Sequence, residues 1–373
     1  KGSGGVSKDA SRAVALYRRA CDGGELLGCN GLGYAYERGV GGLAKDARRG
    51  VDLYRRACDG GVLRGCTNLG YAYEHALGGL AKDPRRAVPL YLRACDGGDA
   101  GACANLGVDA ERGSGGLPKD ERRAVELYRR ACDGGALEGC SNLGFSYERG
   151  IGGLAKDAKR AAELYERACD DTAPDNCNNL AVFYEHAEGA QRDEKRAAEL
   201  YRRACDGGSM IACSNLGFQV EHAKGGLARD GEKAVELYRR ACEGGEADGC
   251  NRLGVAYEQG KDALPRDPAR AVELYRRACD GGSTTACYHL ALDYQQGKGG
   301  LPISPPRAVE LFQRACDDAV AAACQSLALA YEHGYGGLAP DKTRAAELYQ
   351  RACTGGQQSS CDALKRLGAA PRR

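Results

Sequence analysis

The sequence predicts an all-α fold, an α/α superhelix (solenoid) of about ten helix-pair repeats. All 20 cysteines fall into ten Cys-x₇-Cys pairs, apolar residues recur at helical spacing, and helix start and stop residues recur with them. Successive pairs begin 37 residues apart, with one step of 36 between Cys169 and Cys205. A fixed period of this length indicates a solenoid, in which each unit packs on its neighbours.

The first helix of each repeat, helix A, is predicted to begin near the second cysteine of a pair. In the repeat at 103–140, Cys103, Leu106 and Gly107 stand at offsets 0, 3 and 4, which define one helix face. A glycine-rich loop follows, from which Leu117 is expected to plug back into the core. Most other repeats add a tyrosine at offset 7, as at Tyr36, Tyr73, Tyr147, Tyr257 and Tyr331.

The second helix, helix B, is predicted over 121–132. Asp120 precedes it as an N-cap, whose side chain accepts backbone N–H groups of the first turn. The helix stops at Asp133-Gly134-Gly135, where glycine supplies the C-cap. The N-cap aspartate recurs at Asp9, Asp46, Asp83, Asp157, Asp193, Asp230, Asp267 and Asp341.

Composition limits the partners and the domain organisation. The balance of 53 basic against 51 acidic residues gives no electrostatic reason to expect nucleic acid as a partner. No apolar run approaches the roughly 18 residues of a membrane helix, so no transmembrane segment is predicted. The chain starts in mid-repeat, because 1–5 align with 112–116, and we expect the natural protein to continue upstream. Residues 1–373 are predicted to form one solenoid, with a C-terminal capping helix at 361–373.

Three interpretations of the cysteine pairs are open: structural disulfides, metal ligands and redox catalysis. The Asp-Gly-Gly reversal places the end of helix B beside the start of the next helix A, within the roughly 5–6 Å between Cα atoms that a disulfide prefers. Zinc and redox sites favour shorter spacings, such as Cys-x₂-Cys, and none occurs. Disulfides are therefore favoured, and they indicate an oxidising compartment, secreted or periplasmic. The expected pairs are Cys21–Cys29, Cys58–Cys66, Cys95–Cys103, Cys132–Cys140, Cys169–Cys177, Cys205–Cys213, Cys242–Cys250, Cys279–Cys287, Cys316–Cys324 and Cys353–Cys361.

Two segments carry a resemblance to a known family. Residues 124–135, AVELYRRACDGG, and 140–150, CSNLGFSYERG, resemble Sel-1-like repeats, relatives of the tetratricopeptide repeat. Cysteines eight apart resemble the cysteine-rich secreted branch, typified by the Helicobacter cysteine-rich proteins. The resemblance covers nearly the whole chain and implies an α/α superhelix with one disulfide per repeat, secretion, and protein binding on a concave helix A surface. It also implies an alternative, because some members are described as penicillin-binding or weakly β-lactamase-like.

A row of asparagines is the candidate binding site. It stands two residues after the second cysteine of successive pairs, pointing away from the apolar face, and could hydrogen-bond the backbone of an extended protein or peptide ligand. The alternative is that these amides bond a neighbouring repeat or water. Both interpretations stay open. The residues are Asn68, Asn105, Asn142, Asn179 and Asn215.

No catalytic residue, metal site or cofactor is predicted. The serine β-lactamase motifs Ser-x-x-Lys and Lys-Thr-Gly are absent, as are His-Glu-x-x-His and the P-loop. His75, His186, His222 and His333 share one repeat position near the end of helix A, where a cation favours the helix dipole, and that interpretation is preferred to a metal row. Two further alternatives are head-to-tail self-association into a filament and a thiol-using assembly factor.

The middle of the chain departs from the pattern. Asp170 and Asp171 open a segment that replaces the usual Asp-Gly-Gly, and 189–193 lack one residue and the plug leucine. A deletion changes how neighbouring repeats stack. We therefore interpret 170–193 as a bend in the superhelix, with a specific contact site as the alternative.

Overall fold

The computed structural model describes residues 9–170, 172–187, 192–261 and 264–368. This part of the chain contains 20 α-helices, one short 3₁₀ helix at Leu77–Gly79, and no strand. Odd-numbered helices are helix B and even-numbered helices are helix A. The helices are α1 Ala10–Asp22, α2 Leu26–Arg38, α3 Ala47–Asp59, α4 Leu63–Glu74, α5 Pro84–Asp96, α6 Ala100–Arg112, α7 Glu121–Asp133, α8 Leu137–Arg149, α9 Ala158–Ala168, α10 Pro174–His186, α11 Glu194–Asp206, α12 Met210–Glu221, α13 Gly231–Glu243, α14 Ala247–Gln259, α15 Pro268–Asp280, α16 Thr284–Gln296, α17 Pro305–Asp317, α18 Ala321–His333, α19 Lys342–Thr354 and α20 Gln358–Arg366.

The helices form two compact units. Unit 1 comprises Lys1–Leu180 with Ala187–Gln191, and unit 2 comprises Ala181–His186 with Arg192–Arg373. The division falls in the irregular stretch that the sequence marks at 170–193. There α9 ends two residues early, and the Asp170 carboxylate accepts the backbone N–H of Thr172 at 2.7 Å. Residues 171 and 188–191 lie outside the described residues, so the interpretation of this stretch as a bend stays a prediction.

The predicted starts of helix B are confirmed, whereas helix A begins three residues before the second cysteine of a pair, as at Ala100 before Cys103. Each of the nine N-cap aspartates accepts the backbone N–H three residues later, over 2.9–3.2 Å, which satisfies one of the otherwise unpaired donors of the first turn. In α17 a serine takes this place, and Ser304 makes no such side-chain bond. Leu117, the predicted plug, is partly buried and packs against the core.

Ten disulfides join each helix B to the following helix A, with the pairing that the sequence predicts. The Cα atoms of each pair are 4.4–4.9 Å apart, because the short reversal between the two helices sets the last turn of one against the first turn of the next. None of the cysteines is free. A bridge over so short a loop contributes roughly 2–3 kcal/mol in the chain-entropy model.

A glycine of helix A and a tyrosine of the helix B that follows it form the packing inside a repeat. A Cβ added to Gly107 would lie 2.5 Å from Cε1 of Tyr128, so only the bare backbone lets this ring lie flat against the helix. The Tyr128 hydroxyl reaches across the same contact and donates to the Glu111 carboxylate at 2.6 Å. Eight repeats repeat this Tyr–Glu hydrogen bond, over 2.6–3.0 Å.

In at least seven repeats an arginine of helix B bonds the disulfide of the preceding repeat. Arg130 donates from Nη2 to the carbonyl oxygen of Cys95, at 3.0 Å, and Arg167 does the same to Cys132 at 2.7 Å. Such bonds are stronger than neutral ones because the donor is ionised, and the carbonyl oxygen accepts the arginine in addition to a backbone N–H of the following turn. The periodic arginines of helix B therefore connect repeats as well as facing solvent. The same bond is made by Arg56, Arg240, Arg277, Arg314 and Arg351.

The last described helix, α20, is short and differs from the other A helices. Leu364 is buried, while Arg366 donates to both carboxylate oxygens of Glu332, at 2.8 and 2.9 Å. These contacts fit the predicted capping helix, of which 369–373 lie outside the described residues. A search of the described helices finds none with the length and apolar character needed to cross a membrane.

Candidate functional site

Three columns of side chains share one exposed face of helix A in successive repeats. They lie two, five and nine residues after the second cysteine of each pair, and on a helix these positions fall on the side opposite the buried cysteine and leucine. We call this surface the outer face of helix A. In unit 1 its columns carry an amide, an apolar or aromatic side chain, and a cationic or imidazole side chain.

The asparagine column divides into bonded and unbonded members. Asn68 donates from Nδ2 to Oδ1 of Asn30 at 2.9 Å, and Asn179 donates to Oγ of Ser141 at 3.1 Å. These two amides bond the preceding repeat. The described residues provide no hydrogen-bond partner for the side chains of Asn105 and Asn142, which are half-buried.

The column changes chemistry in unit 2. It starts with Asn215, which is half-buried, and continues with Arg252 and His289. His289 Nδ1 lies 3.0 Å from Oδ1 of Asn251. This ring, to which the sequence gives no role, therefore bonds the preceding repeat as Asn68 does. Burial lowers the pKa of His289, which keeps the ring neutral.

The apolar column was missed by the sequence reasoning. Tyr34 is 53% exposed, and Tyr71 and Phe145 are 40% and 41% exposed. In unit 2 the same position holds Val182 and Leu329, also exposed. The signal was present in the sequence, because an apolar residue recurs five positions after the second cysteine, on the face that should be polar. Large side chains that stay apolar and exposed over several repeats indicate a contact surface.

Cationic and imidazole groups cover the aromatic column on one side. The His75 ring stacks on Tyr71 with centroids 3.9 Å apart, and its Nδ1 donates to the Tyr71 carbonyl oxygen at 3.0 Å. Arg149 lies over Phe145, with its guanidinium carbon 5.7 Å from the ring centroid. The histidines thus pair with the carbonyl end of helix A, as their position suggests. No group of three His, Cys, Asp or Glu side chains suited to a metal occurs among the described residues.

Two carboxyl groups with raised pKa values are buried beside the asparagine column rather than exposed on this face. Burial, reinforced by the charge of Glu258, raises the pKa of Asp293 to about 6. Burial also raises the pKa of Asp109, whose Oδ1 accepts the Ser114 hydroxyl. Each is a single buried carboxyl at the same repeat position, four residues along helix A from the asparagine column. They bear on stability rather than on a site.

The fold has relatives among solved structures. A crystal structure of c5321, a protective antigen of uropathogenic Escherichia coli with an SLR fold, is 25% identical and covers 98% of this chain and 78% of that chain, with a TM-score of 0.52. A Sel1 repeat protein from Oxalobacter formigenes is 24% identical and covers 85% and 89%, with a TM-score of 0.54. Helicobacter pylori cysteine-rich protein B is 21% identical and covers 48% and 98%, with a TM-score of 0.24, a likeness too distant to carry an argument.

No curated protein matches the chain. The Sel1 repeat model matches ten times, at residues 1–25, 26–62, 63–99, 100–135, 137–171, 177–209, 211–246, 247–283, 284–319 and 321–357. The boundaries of these matches follow the helix pairs of the structure, and they confirm the resemblance on which the sequence interpretation depends. The chain belongs to the Sel1-repeat family.

Proposed function

We propose that this chain is a secreted or periplasmic scaffold that binds an extended segment of another protein along the outer face of helix A. Sel1-repeat scaffolds commonly serve protein interaction, and the exposed apolar column carries the proposal for this surface. Aromatic side chains are enriched at protein interfaces, and Tyr is among the residues that contribute most to binding energy there. Tyr71 and Phe145 keep 40% and 41% of their surface exposed beside cationic and amide groups.

The amide column supports an extended ligand. Asn105 and Asn142 each present both donors and an acceptor, a combination that matches the N–H and C=O groups of a peptide backbone. They stand one repeat apart on helices α6 and α8, which contact each other. The ligand would bury its apolar side chains against the aromatic column and its backbone against the amides.

Ten disulfides suggest an oxidising, extracytoplasmic compartment. Within this compartment class we propose a secreted or periplasmic location. Alkylation of the protein in intact cells tests it, and all thiols should be protected. The penicillin-binding or β-lactamase-like alternative stays a prediction from the resemblance, and nitrocefin turnover that a point variant abolishes would favour it. Filament formation by head-to-tail contact is likewise a prediction, which light scattering at high concentration tests.

The proposed surface can be tested with a random-peptide phage library selected on the disulfide-intact chain. Peptides enriched on the wild-type protein should bind Tyr71→Ser and Phe145→Ser at least about tenfold more weakly, because each change removes an interface aromatic. Arg129→Ser, on the exposed side of helix B in the same unit, is the matched control and should leave affinity unchanged.

The amides give a second comparison. Asn142→Ala should weaken the same peptides without lowering the melting temperature, since its side chain has no protein partner. Asn179→Ala should lower the melting temperature through the lost bond to Ser141. Equal affinity of the wild-type protein, Tyr71→Ser and Phe145→Ser for every selected peptide would contradict the proposal.

A further inference from the structure

Unit 2 contains two cavities at equivalent positions of its repeats. The first, of about 390 Å³, lies between α12, α13 and α14, and the second, of about 350 Å³, lies between α16, α17 and α18. Lining residues of the second cavity stand two 37-residue repeats after their counterparts in the first. The two cavities are therefore the same place in the outer face, two repeats apart, and their chemistry can be compared residue by residue.

The first cavity holds a cation where other repeats hold an amide. Arg252 takes the place of the column asparagine, with its guanidinium carbon 4.6 Å from the ring centroid of Phe218 and 5.9 Å from that of Tyr238. Its Nε is buried and has no hydrogen-bond acceptor, and none of the ion pairs of the described residues includes it. A half-buried guanidinium stacked on rings is held in place, so its remaining donors can meet a ligand at little entropic cost.

The two carboxylates that line this cavity each accept a hydroxyl, and neither forms an ion pair with Arg252 among the described residues. Glu221 accepts the Tyr238 hydroxyl at 2.7 Å, in the Tyr–Glu bond common to the repeats. Asp248 accepts the Ser283 hydroxyl at 2.7 Å. Lys261, exposed, adds a second positive charge to the lining. The first cavity thus offers a guanidinium without a carboxylate partner.

The second cavity lacks the arginine, lysine and carboxylates that line the first. Phe312 stands where Tyr238 stands in the first, and Gln295 stands where Glu221 stands, so the tyrosine hydroxyl and its carboxylate are replaced together. Ser326 occupies the place of the arginine, and Leu329, 38% exposed, adds apolar surface. Among its lining residues only a histidine can carry charge. This cavity fits a large apolar side chain.

We propose, building on the proposed function, that unit 2 selects ligand segments carrying a carboxylate and a large apolar side chain at a set separation. The carboxylate would bind Arg252, and the apolar side chain would enter the cavity beside Phe312. Packed helices lie about 8–10 Å apart, and α14 contacts α16, so two repeats at this spacing span about 20 Å. An extended segment covers this distance in about six residues, at about 3.3 Å per residue.

The test uses fluorescein-labelled peptides that contain one Glu and one Trp separated by Ser/Gly spacers of graded length, in both orders. Affinity for the full, disulfide-intact chain is measured by anisotropy, with Glu→Gln and Trp→Ala peptides as references. We expect a maximum near a six-residue separation, where the Glu peptide binds at least about tenfold more tightly than its Gln reference, because bonds to charged groups are the strong ones.

Two variants restore what other repeats carry and so keep the fold. Arg252→Asn should abolish the advantage of Glu over Gln, while leaving the advantage of Trp. The double variant Gln295→Glu with Phe312→Tyr rebuilds the buried Tyr–Glu pair and should abolish the advantage of Trp alone. Arg239→Asn, an exposed charge on helix B, is the control for net charge and should change neither.

Any of three results would overturn the two-cavity proposal. They are an equal affinity for Glu and Gln peptides, an affinity that does not depend on spacing, and a failure of every peptide in the series to bind. Its failure is distinct from failure of the proposed function. If library-selected peptides still lose affinity in Phe145→Ser while the Glu/Trp series shows no preference, the outer face binds peptides but unit 2 does not select these two groups.

Discussion

Replacing Tyr128 with Phe isolates one hydrogen bond from the packing that surrounds it. The Tyr128 ring is 2% exposed and lies against Gly107, and Phe fills the same space. Only the donor to the Glu111 carboxylate, at 2.6 Å, is lost. The chain provides a matched comparison, because Phe312 and Gln295 occupy the equivalent places five repeats later, in unit 2.

The magnitude follows from the charge and partial burial of the acceptor. A hydrogen bond to a charged group contributes about 1.5–3 kcal/mol, and Glu111 keeps some contact with water, so Tyr128→Phe should cost about 1.5 kcal/mol. Adding Glu111→Gln removes the charge left without its donor. The double variant should therefore recover about 1 kcal/mol, a coupling that a double-mutant cycle measures.

Hydrogen exchange is the suitable assay, because repeat arrays need not unfold in one step. Amides of α6 and α7 should exchange faster in Tyr128→Phe, and the rates should return toward wild type in the double variant. Amides of α17, which has no such bond, serve as the reference within the same molecule. Single and double variants that are equally destabilised would refute the reasoning, since the cost would then arise from packing rather than from the unpaired carboxylate.

Three further substitutions test the packing, the backbone and the buried charge. Gly70→Ile should cost about 1–3 kcal/mol in urea unfolding, because even a Cβ would lie 2.7 Å from the Tyr91 ring; an unchanged midpoint would contradict this. Ala319→Gly should raise stability by about 0.5–1 kcal/mol, because φ is 64° there; a lower melting temperature would argue against strain. The folded pKa of Asp293, about 6, exceeds the unfolded value near 3.9, so this carboxyl supports the fold fully only at low pH. Wild-type stability should fall as pH rises from about 4 to 6, and Asp293→Ala, which matches Ala330, should remove that loss; a pH profile identical in both proteins would show that the group does not contribute.

Much of the architecture could be read from single residues and their spacing. Asp120 predicts its helix start because a capping carboxylate acts within one turn, and Cys132–Cys140 predicts its bridge because a short reversal fixes both ends. The asparagine column was also predicted from the sequence, on the side of helix A away from its apolar face. Which of these asparagines are hydrogen-bonded to the preceding repeat was not predictable. The bond from Asn179 to Ser141 joins residues 38 apart and depends on how repeats stack.

The sequence by itself determined the repeat, the helix boundaries and the disulfide pairing, because each is set by contacts within a few residues along the chain. The tertiary structure decided which polar groups are already satisfied and which apolar ones stay exposed. In the sequence, Arg252 is only one of several replacements in the asparagine column. The structure adds that its Nε is buried without an acceptor. Phe312 is a conservative replacement in the sequence, and its effect becomes visible only when its cavity is compared with the one at Tyr238. Those properties depend on the distance between neighbouring repeats, which no local pattern encodes.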